Sequence, residues 1–142
     1  MSTLKRVTVA PFKPKEGGQF LVVNKPVGSS SFACVQAIRQ ATGEKKVGHG
    51  GTLDPFASGV LVMGIGKAYT RQLGSIQDLP KRYLGRIVLG KSTTTYDPEG
   101  DITAESVVRI ENIEEKIEEF LKSITGKIEQ VPPPFSAKKY NG

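Results

Sequence analysis

The sequence has almost none of the side chains that form disulfides or hold zinc. Its 142 residues include one cysteine, Cys34, and one histidine, His49. An intramolecular disulfide is therefore impossible, and a zinc site with four cysteine or histidine ligands is excluded. Cys34 lies among apolar residues of a predicted helix, where we expect it to be a small buried hydrophobic side chain.

Long apolar runs are also missing. No run approaches the ~20 residues that a membrane-spanning helix needs. The first residues, MSTLKR, lack the continuous apolar stretch of a signal peptide. These two absences predict a cytoplasmic protein with no membrane partner. The length is sufficient for one compact domain with a hydrophobic core.

Positive charge is concentrated in the first third of the chain. Residues 1–48 contain eight Lys or Arg and two Asp or Glu, whereas residues 49–142 contain twelve of each. The whole net charge of +6 therefore lies in the first third. Such a basic region favours an anionic partner, and nucleic acid is the first candidate. A solubilising tail would have the same composition, so charge alone leaves both interpretations open.

Local patterns predict several strands. Residues 1–17 contain scattered lysines, prolines and glycines without a period, which predicts a loosely ordered basic arm. Apolar runs predict strands at the positions that follow: residues 20–23, 60–65, 83–89 and 102–110. The composition of residues 97–100, Asp-Pro-Glu-Gly, indicates a turn before the last strand.

Two helices complete the predicted class. Phe32, Val35 and Ile38 recur at helical spacing between a run of serines and Gly43, which indicates a capped helix. A second amphipathic pattern covers residues 113–124, with Asn112 and Glu115 resembling a capping box and Gly126 after its end. Interspersed strands and helices predict a mixed α+β fold.

The most distinctive segment is GHGGTLDP at residues 48–55. Its glycines permit unusual backbone geometry, and the glycine-rich stretch of residues 48–59 is predicted to contain no helix or strand. Pro55 moves Asp54 away from helical dihedral angles and rigidifies the following turn. The sequence therefore predicts that Asp54 is held on a fixed loop between a helix and a buried strand. The pattern alone leaves open whether Asp54 merely caps a turn.

This loop and its companions resemble the TruB family of pseudouridine synthases. Matching segments occur in order at residues 20–30, 45–47, 48–61, 81–83, 96–100 and 133–139. The resemblance covers about residues 18 to 142. It implies a pseudouridine synthase-like fold, with a mixed, largely antiparallel sheet and flanking helices, of which this chain would be the front part. The rest of the catalytic domain and a C-terminal RNA-binding domain are expected to be absent. We therefore expect the chain alone to be inactive or barely active.

The resemblance implies a role for three residues of the site. Pseudouridine formation breaks the bond from uracil N1 to the ribose, turns the base and joins C5 to the same carbon. A carboxylate is needed as nucleophile or proton acceptor, and neither a metal nor another cofactor is required. By resemblance, Asp54 is that carboxylate and Tyr83 stacks on the flipped base. His49 enters the T-loop of the RNA and helps to displace the base.

The implied partner is the T-arm of tRNA, modified at position 55. Lys25, Lys45 and Lys46 are expected to contact phosphates, with ordinary surface charge as the alternative. The full-length protein is expected to be a monomer. Two other functions stay open: a guide-RNA-dependent relative that shares the loop, and a non-catalytic RNA-binding module.

Three positions depart from the family's pattern. Thr94 stands where the family usually has an aspartate that orients an active-site arginine. Residues 67–71, KAYTR, carry one residue more than the usual segment. Gly50 replaces a commoner Thr or Ser, which is a mild change.

Overall fold

The chain forms two compact units that divide after Tyr83. A computed structural model describes residues 5–109 and 111–131. Within these ranges the first unit has three strands and three helices, and the second has two strands and one helix. Both sheets are antiparallel, which confirms the predicted mixture of helices and antiparallel strands. Residues 1–4 of the predicted arm, residue 110 and the motif at 133–139 lie outside the described residues.

The first sheet is organised around its central strand, β3 (Gly59–Ile65). Strand β1 (Gln19–Lys25) pairs with β3 along its whole length. Strand β2 (Val47–His49) pairs with the other edge of β3. Because side chains alternate along a strand, every second residue of β3 enters the core. These core residues are Leu61, Met63 and Ile65. The predicted strands at 20–23 and 60–65 are confirmed.

Helix α1 (Ser31–Thr42) covers the core face of this sheet. The Ser30 hydroxyl accepts a hydrogen bond from the Ala33 N–H at 3.1 Å, and Gly43 ends the helix with a φ of 73°. The predicted serine cap and glycine stop are both confirmed. Cys34 is buried in the core as expected, and burial raises the pKa of its thiol.

Strand β2 corrects the prediction that residues 48–59 contain no regular element. Two short helices, α2 (Lys67–Thr70) and α3 (Leu73–Gln77), follow β3. A Cβ added at Gly48 would lie 3.3 Å from Leu73 Cδ1, so glycine permits the close approach of α3. The pairing of Gly48 and His49 with β3 is a tertiary interaction, and the local sequence pattern does not contain it.

The basic arm has no helix or strand over residues 5–15, but it lies along α1. The Lys5 N–H donates to the Gly28 carbonyl at 2.5 Å, near the start of α1. The Phe12 N–H donates to the Ala41 carbonyl at 3.2 Å, near its end. Three apolar arm residues pack against the core: Val7, Val9 and Phe12. This part of the arm therefore belongs to the packed unit and is not the loosely ordered segment that its composition suggested.

The second unit contains a short hairpin, whose strands are shorter than the apolar pattern of residues 83–110 predicted. Strand β4 (Lys91–Thr93) pairs with β5 (Ile102–Glu105). The strand predicted at residues 83–89 is wrong, because these residues form no ladder with any described strand and their side chains are exposed. An apolar alternating pattern forms a strand only where a partner supplies hydrogen bonds.

Helix α4 (Ile113–Ser123) confirms the helix predicted at residues 113–124. The predicted capping box is wrong, since Asn112 has a φ of 54° and its side chain makes no capping hydrogen bond. Across the ranges that the structure covers, no helix has the length and apolarity needed to cross a membrane.

The two faces of the first sheet can be tested by truncation. Ile38 of α1 is fully buried, so Ile38→Ala should lower the free energy of unfolding by about 2–5 kcal/mol. Val60 is 71% exposed on the other face of β3, so Val60→Ala should cost less than about 1 kcal/mol. Urea unfolding followed by circular dichroism measures both. An equal loss for the two variants would contradict the assigned faces.

Candidate functional site

The connection from β2 to β3 carries the candidate carboxylate. We name residues 50–58 the Asp54 loop. The loop leaves β2 with a hydrogen bond from the Gly50 N–H to the Val62 carbonyl at 2.8 Å. A Cβ at Gly50 would lie 3.2 Å from Ile76 Cγ2, so the glycine found here leaves room for α3. The Asp54 side chain is exposed.

The backbone is fixed on both sides of Asp54. Before it, the Ser31 hydroxyl accepts a hydrogen bond from the Leu53 N–H at 2.9 Å and donates to the Leu53 carbonyl at 3.0 Å. After it, the Pro55 carbonyl accepts a hydrogen bond from the Gly28 N–H at 2.7 Å. Helix α1 and the turn that precedes it therefore hold the peptide groups next to Asp54.

A buried ammonium group lies beneath this arrangement. Lys25, at the end of β1, is completely buried. Its Nζ donates to the Ser29 carbonyl at 2.6 Å and the Pro26 carbonyl at 3.1 Å, with a longer contact to the Pro55 carbonyl at 3.5 Å. A buried charge is costly unless it is hydrogen-bonded, and three carbonyls meet that need. Lys25 therefore joins the turn after β1 to the Asp54 loop.

The Asp54 carboxylate, in contrast, is not used by its own turn. The Asp54 carbonyl accepts a hydrogen bond from the Ala57 N–H at 3.0 Å, but no described residue donates to the carboxylate. Asp97 also precedes a proline and behaves differently. Its Oδ1 accepts hydrogen bonds from the Thr95 hydroxyl at 2.6 Å and the Glu99 N–H at 2.9 Å, and the Thr95 bond lowers the pKa of Asp97. Asp54 therefore does not act as the turn cap that the sequence left open.

His49 is half-buried at the end of β2, directly before the Asp54 loop. Its Nδ1 is buried and has no hydrogen-bond partner within the described ranges. In the part of the chain that the structure covers, no three His, Cys, Asp or Glu side chains are grouped to hold a metal ion.

The remaining predicted site residues lie in different surroundings. Lys45 and Lys46 are exposed before β2, where the Gly66 N–H donates to the Lys46 carbonyl at 2.7 Å. This is the opposite end of β3 from Gly59, where the Asp54 loop enters the strand, about 20 Å away by strand geometry. Tyr83 is 73% exposed in a segment without helix or strand. Among the described residues, no hydrogen bond or aromatic contact links Tyr83 to the Asp54 loop.

Lys25 requires a correction. The sequence suggested that it contacts a phosphate, but its ammonium group is enclosed and bonded to backbone carbonyls. No surface of the side chain is open to a phosphate in this structure. The charge of Lys25 supports the Asp54 loop from inside.

The serine run at residues 29–31 has a supporting role that the sequence pattern did not predict. Ser30 is the helix cap, as predicted, but its two neighbours are buried and make long-range bonds. Ser31 holds Leu53, while the Ser29 hydroxyl donates to the Lys5 carbonyl at 3.0 Å. Three consecutive serines at a helix start were the available signal, because one cap needs only one of them.

Thr94 closes the hairpin of the second unit. Its N–H donates to the Asp101 carbonyl at 2.9 Å, and its hydroxyl accepts from the Asp101 N–H at 3.2 Å. The side chain at this position is therefore a neutral part of the turn and supplies no carboxylate to an arginine.

Several known proteins are similar to this chain, and the following are named tRNA pseudouridine synthase B. The Protochlamydia amoebophila protein is 44% identical over 142 residues, which is all of this chain and 53% of that protein. The Geobacillus thermodenitrificans protein is 47% identical over 122 residues, covering 86% of this chain and 40% of that protein. The Streptococcus pneumoniae protein is 46% identical over 120 residues, covering 84% and 41%. The chain thus spans about half the length of these curated relatives, or somewhat less.

A family model agrees with these relatives. It is described as TruB family pseudouridylate synthase (N terminal domain) and matches residues 39–142. The matched region contains the Asp54 loop, β3 and the whole second unit. The predicted family is confirmed, and the chain belongs to the TruB family of pseudouridylate synthases.

Proposed function

We propose that the protein containing this chain converts uridine to pseudouridine in the T-loop of tRNA, at position 55. The observation that carries the proposal is the state of Asp54. Its carboxylate is exposed and receives no hydrogen bond from the described residues, while the peptide groups on both sides of it are fixed. A positioned, accessible carboxylate suits nucleophilic or base catalysis. The chain supplies the front part of a pseudouridine synthase-like catalytic domain.

The reaction is an isomerisation and needs no oxidant or reductant. The bond between uracil N1 and ribose C1′ breaks, the base turns, and a bond forms between C5 and C1′. The proton on C5 is released, and N1 gains a proton. Asp54 acts in its ionised form, either as a nucleophile or as the acceptor of a proton.

The uridine must leave its stack before it can react, which costs a few kcal/mol. We assign His49 to the displacement of the base, because it directly precedes the Asp54 loop and its Nδ1 has no partner among the described residues. We assign Tyr83 to stacking on the flipped base, which is worth ~1–3 kcal/mol. The exposure of the Tyr83 ring supports this assignment.

The positions of Lys45 and Lys46 suit phosphates away from the reacting nucleotide. Both side chains are exposed at the opposite end of β3 from Gly59. In this arrangement the T-loop lies at Asp54 and the stem of the T-arm extends toward these two lysines. Phosphate contacts of this kind fix the register of the RNA without reading its sequence.

The relatives' names favour tRNA over the two other functions. The matched proteins are called tRNA pseudouridine synthase B, which names a tRNA enzyme and no guide RNA. A free carboxylate on a fixed loop favours catalysis over RNA binding alone.

Replacing the carboxylate tests the catalytic assignment. In the natural full-length protein, Asp54→Asn should lower pseudouridine formation in a tRNA transcript by at least about 10²-fold, because the amide is neither a nucleophile nor a base. Affinity for the transcript should change little. Pseudouridine is measured by tritium release from C5-labelled uridine, and affinity by filter binding.

Asp78→Asn is the matched control, since Asp78 is exposed at the end of α3 and should leave the rate unchanged. Full modification by the Asp54→Asn protein would refute the catalytic role. Modification that required an added guide RNA would favour the guide-dependent alternative.

Replacing Lys25 separates support of the loop from phosphate binding. Lys25→Met leaves three carbonyls without their buried donor, so the free energy of unfolding should fall by about 1–3 kcal/mol. The kcat for tRNA should fall, because the Asp54 loop loses a contact, whereas the salt dependence of tRNA binding should be unchanged. Urea unfolding, turnover and filter binding give the three readouts.

Lys46→Met is the control for stability, because Lys46 is exposed and its loss should change the free energy of unfolding by less than about 0.5 kcal/mol. A Lys25→Met protein of normal stability with weaker, less salt-dependent tRNA binding would contradict the supporting role.

A further inference from the structure

The arm residue Lys5 is built into the turn between β1 and α1. Its N–H donates to the Gly28 carbonyl at 2.5 Å, and its carbonyl accepts from the buried Ser29 hydroxyl at 3.0 Å. One peptide group on each side of the Lys5 Cα is therefore fixed to neighbouring residues of the same turn. Lys5 is held in place by the fold, unlike a charge on a free terminus.

The same turn is bonded to the Asp54 loop. The Gly28 N–H donates to the Pro55 carbonyl at 2.7 Å, so Gly28 lies between Lys5 and the residue that follows Asp54. Each of these two hydrogen bonds joins backbone segments about 5 Å apart, so the backbones of Lys5 and Pro55 lie about 10 Å from each other. The Lys5 backbone is thus close enough to the Asp54 loop for the Lys5 side chain to contact the same substrate.

The side chain of Lys5 crosses Gly28. A Cβ placed on Gly28, whose φ is +82°, would lie 3.4 Å from both Cγ and Cδ of Lys5. The aliphatic stem therefore lies over the glycine, while the residue as a whole is exposed. This arrangement lets the stem pack and leaves the ammonium group in solvent.

Within the described residues, Lys5 forms no ion pair with a carboxylate; the salt bridge found there joins Lys91 to Glu105 of the second unit. Lys25 belongs to the same end of the sheet, but its ammonium group is consumed by backbone carbonyls. Lys5 therefore supplies an available cation beside a loop that, under the proposed function, receives a polyanion.

We propose that Lys5 binds a backbone phosphate of the RNA substrate next to the flipped nucleotide, so that the basic arm forms part of the substrate-binding surface. The proposal rests on the RNA-modifying function proposed above. The arm precedes residue 39, where the match to the family model begins. The Protochlamydia amoebophila relative, in contrast, is aligned with the whole chain.

The test replaces the charge and retains the backbone contacts. In the natural full-length protein, Lys5→Gln should raise the KM for a T-arm RNA roughly threefold to tenfold at low salt, as expected for one lost charged contact. The kcat should change less than about twofold, since a phosphate contact acts on binding. The slope of log affinity against log salt should weaken by about 0.7–0.9, the value for one phosphate. Lys5→Arg, which keeps the charge, should behave like the wild type.

Lys122→Gln is the matched control, because Lys122 is exposed in the last turn of α4 and no RNA contact is proposed for it. The same loss of one charge there should leave both the KM and the salt slope unchanged. Equal effects at Lys5 and Lys122 would show a diffuse charge effect and would overturn the proposal.

The outcomes separate this proposal from the function on which it rests. A wild-type protein that neither modifies nor binds tRNA would overturn the proposed function. An active wild type with an unchanged Lys5→Gln variant would overturn the role of Lys5 alone. Salt slopes are also measured in the Asp54→Asn background, so that binding is read without turnover. A weaker slope there on Lys5→Gln supports the phosphate contact.

Discussion

Burial of the Lys25 ammonium constrains the end of the first sheet where Asp54 lies. A lysine with no exposure must find hydrogen-bond acceptors inside the protein, because desolvation of an unpaired charge is prohibitive. The acceptors found are carbonyls of Pro26, Ser29 and Pro55, which belong to two segments far apart in sequence. These carbonyls can converge on one ammonium group only if the turn after β1 and the Asp54 loop are packed together. The hydrogen bonds of the buried Lys25 ammonium group thus help to determine where the Asp54 carboxylate lies.

Around this point the chain uses its backbone for support and leaves selected side chains free. Ser31 binds both polar groups of Leu53, and Gly28 binds Pro55, so the loop is held without any bond to the Asp54 carboxylate. The hairpin of the second unit shows the opposite arrangement, because the Asp97 carboxylate accepts hydrogen bonds from Thr95 and Glu99 of its own turn. A carboxylate already engaged in this way would have to give up its bonds before reacting, whereas one on a rigid support is ready for substrate.

Local patterns predicted the elements whose formation depends on local chemistry. Helix α1 follows from its serine cap, apolar spacing and terminal Gly43, and strands β1 and β3 follow from their apolar runs. Strand β2 was missed because its Gly48 has no strand propensity of its own and is held by pairing with β3 and by packing of α3. The strand at residues 83–89 failed for the converse reason, an apolar pattern without a described partner strand. Asp54 was identifiable from its glycine- and proline-rich loop, but the bonds that fix the loop join residues more than 20 positions apart.

The lysines near Asp54 show that the charge of a basic region does not reveal which of its cations are open to a partner. Lys5 and Lys25 contribute equally to the net charge, and both belong to the end of the sheet near Asp54. The Lys25 ammonium group is hydrogen-bonded to carbonyls inside the fold, whereas that of Lys5 remains in solvent. Nothing in the residue type distinguishes the two. The distinction arises from position, because the last residue of β1 faces the core, whereas the arm crosses the outside of the turn. A basic composition therefore indicates an anionic partner only through those charges that the fold leaves unsatisfied. At this site the arm provides such a charge, and the strand does not.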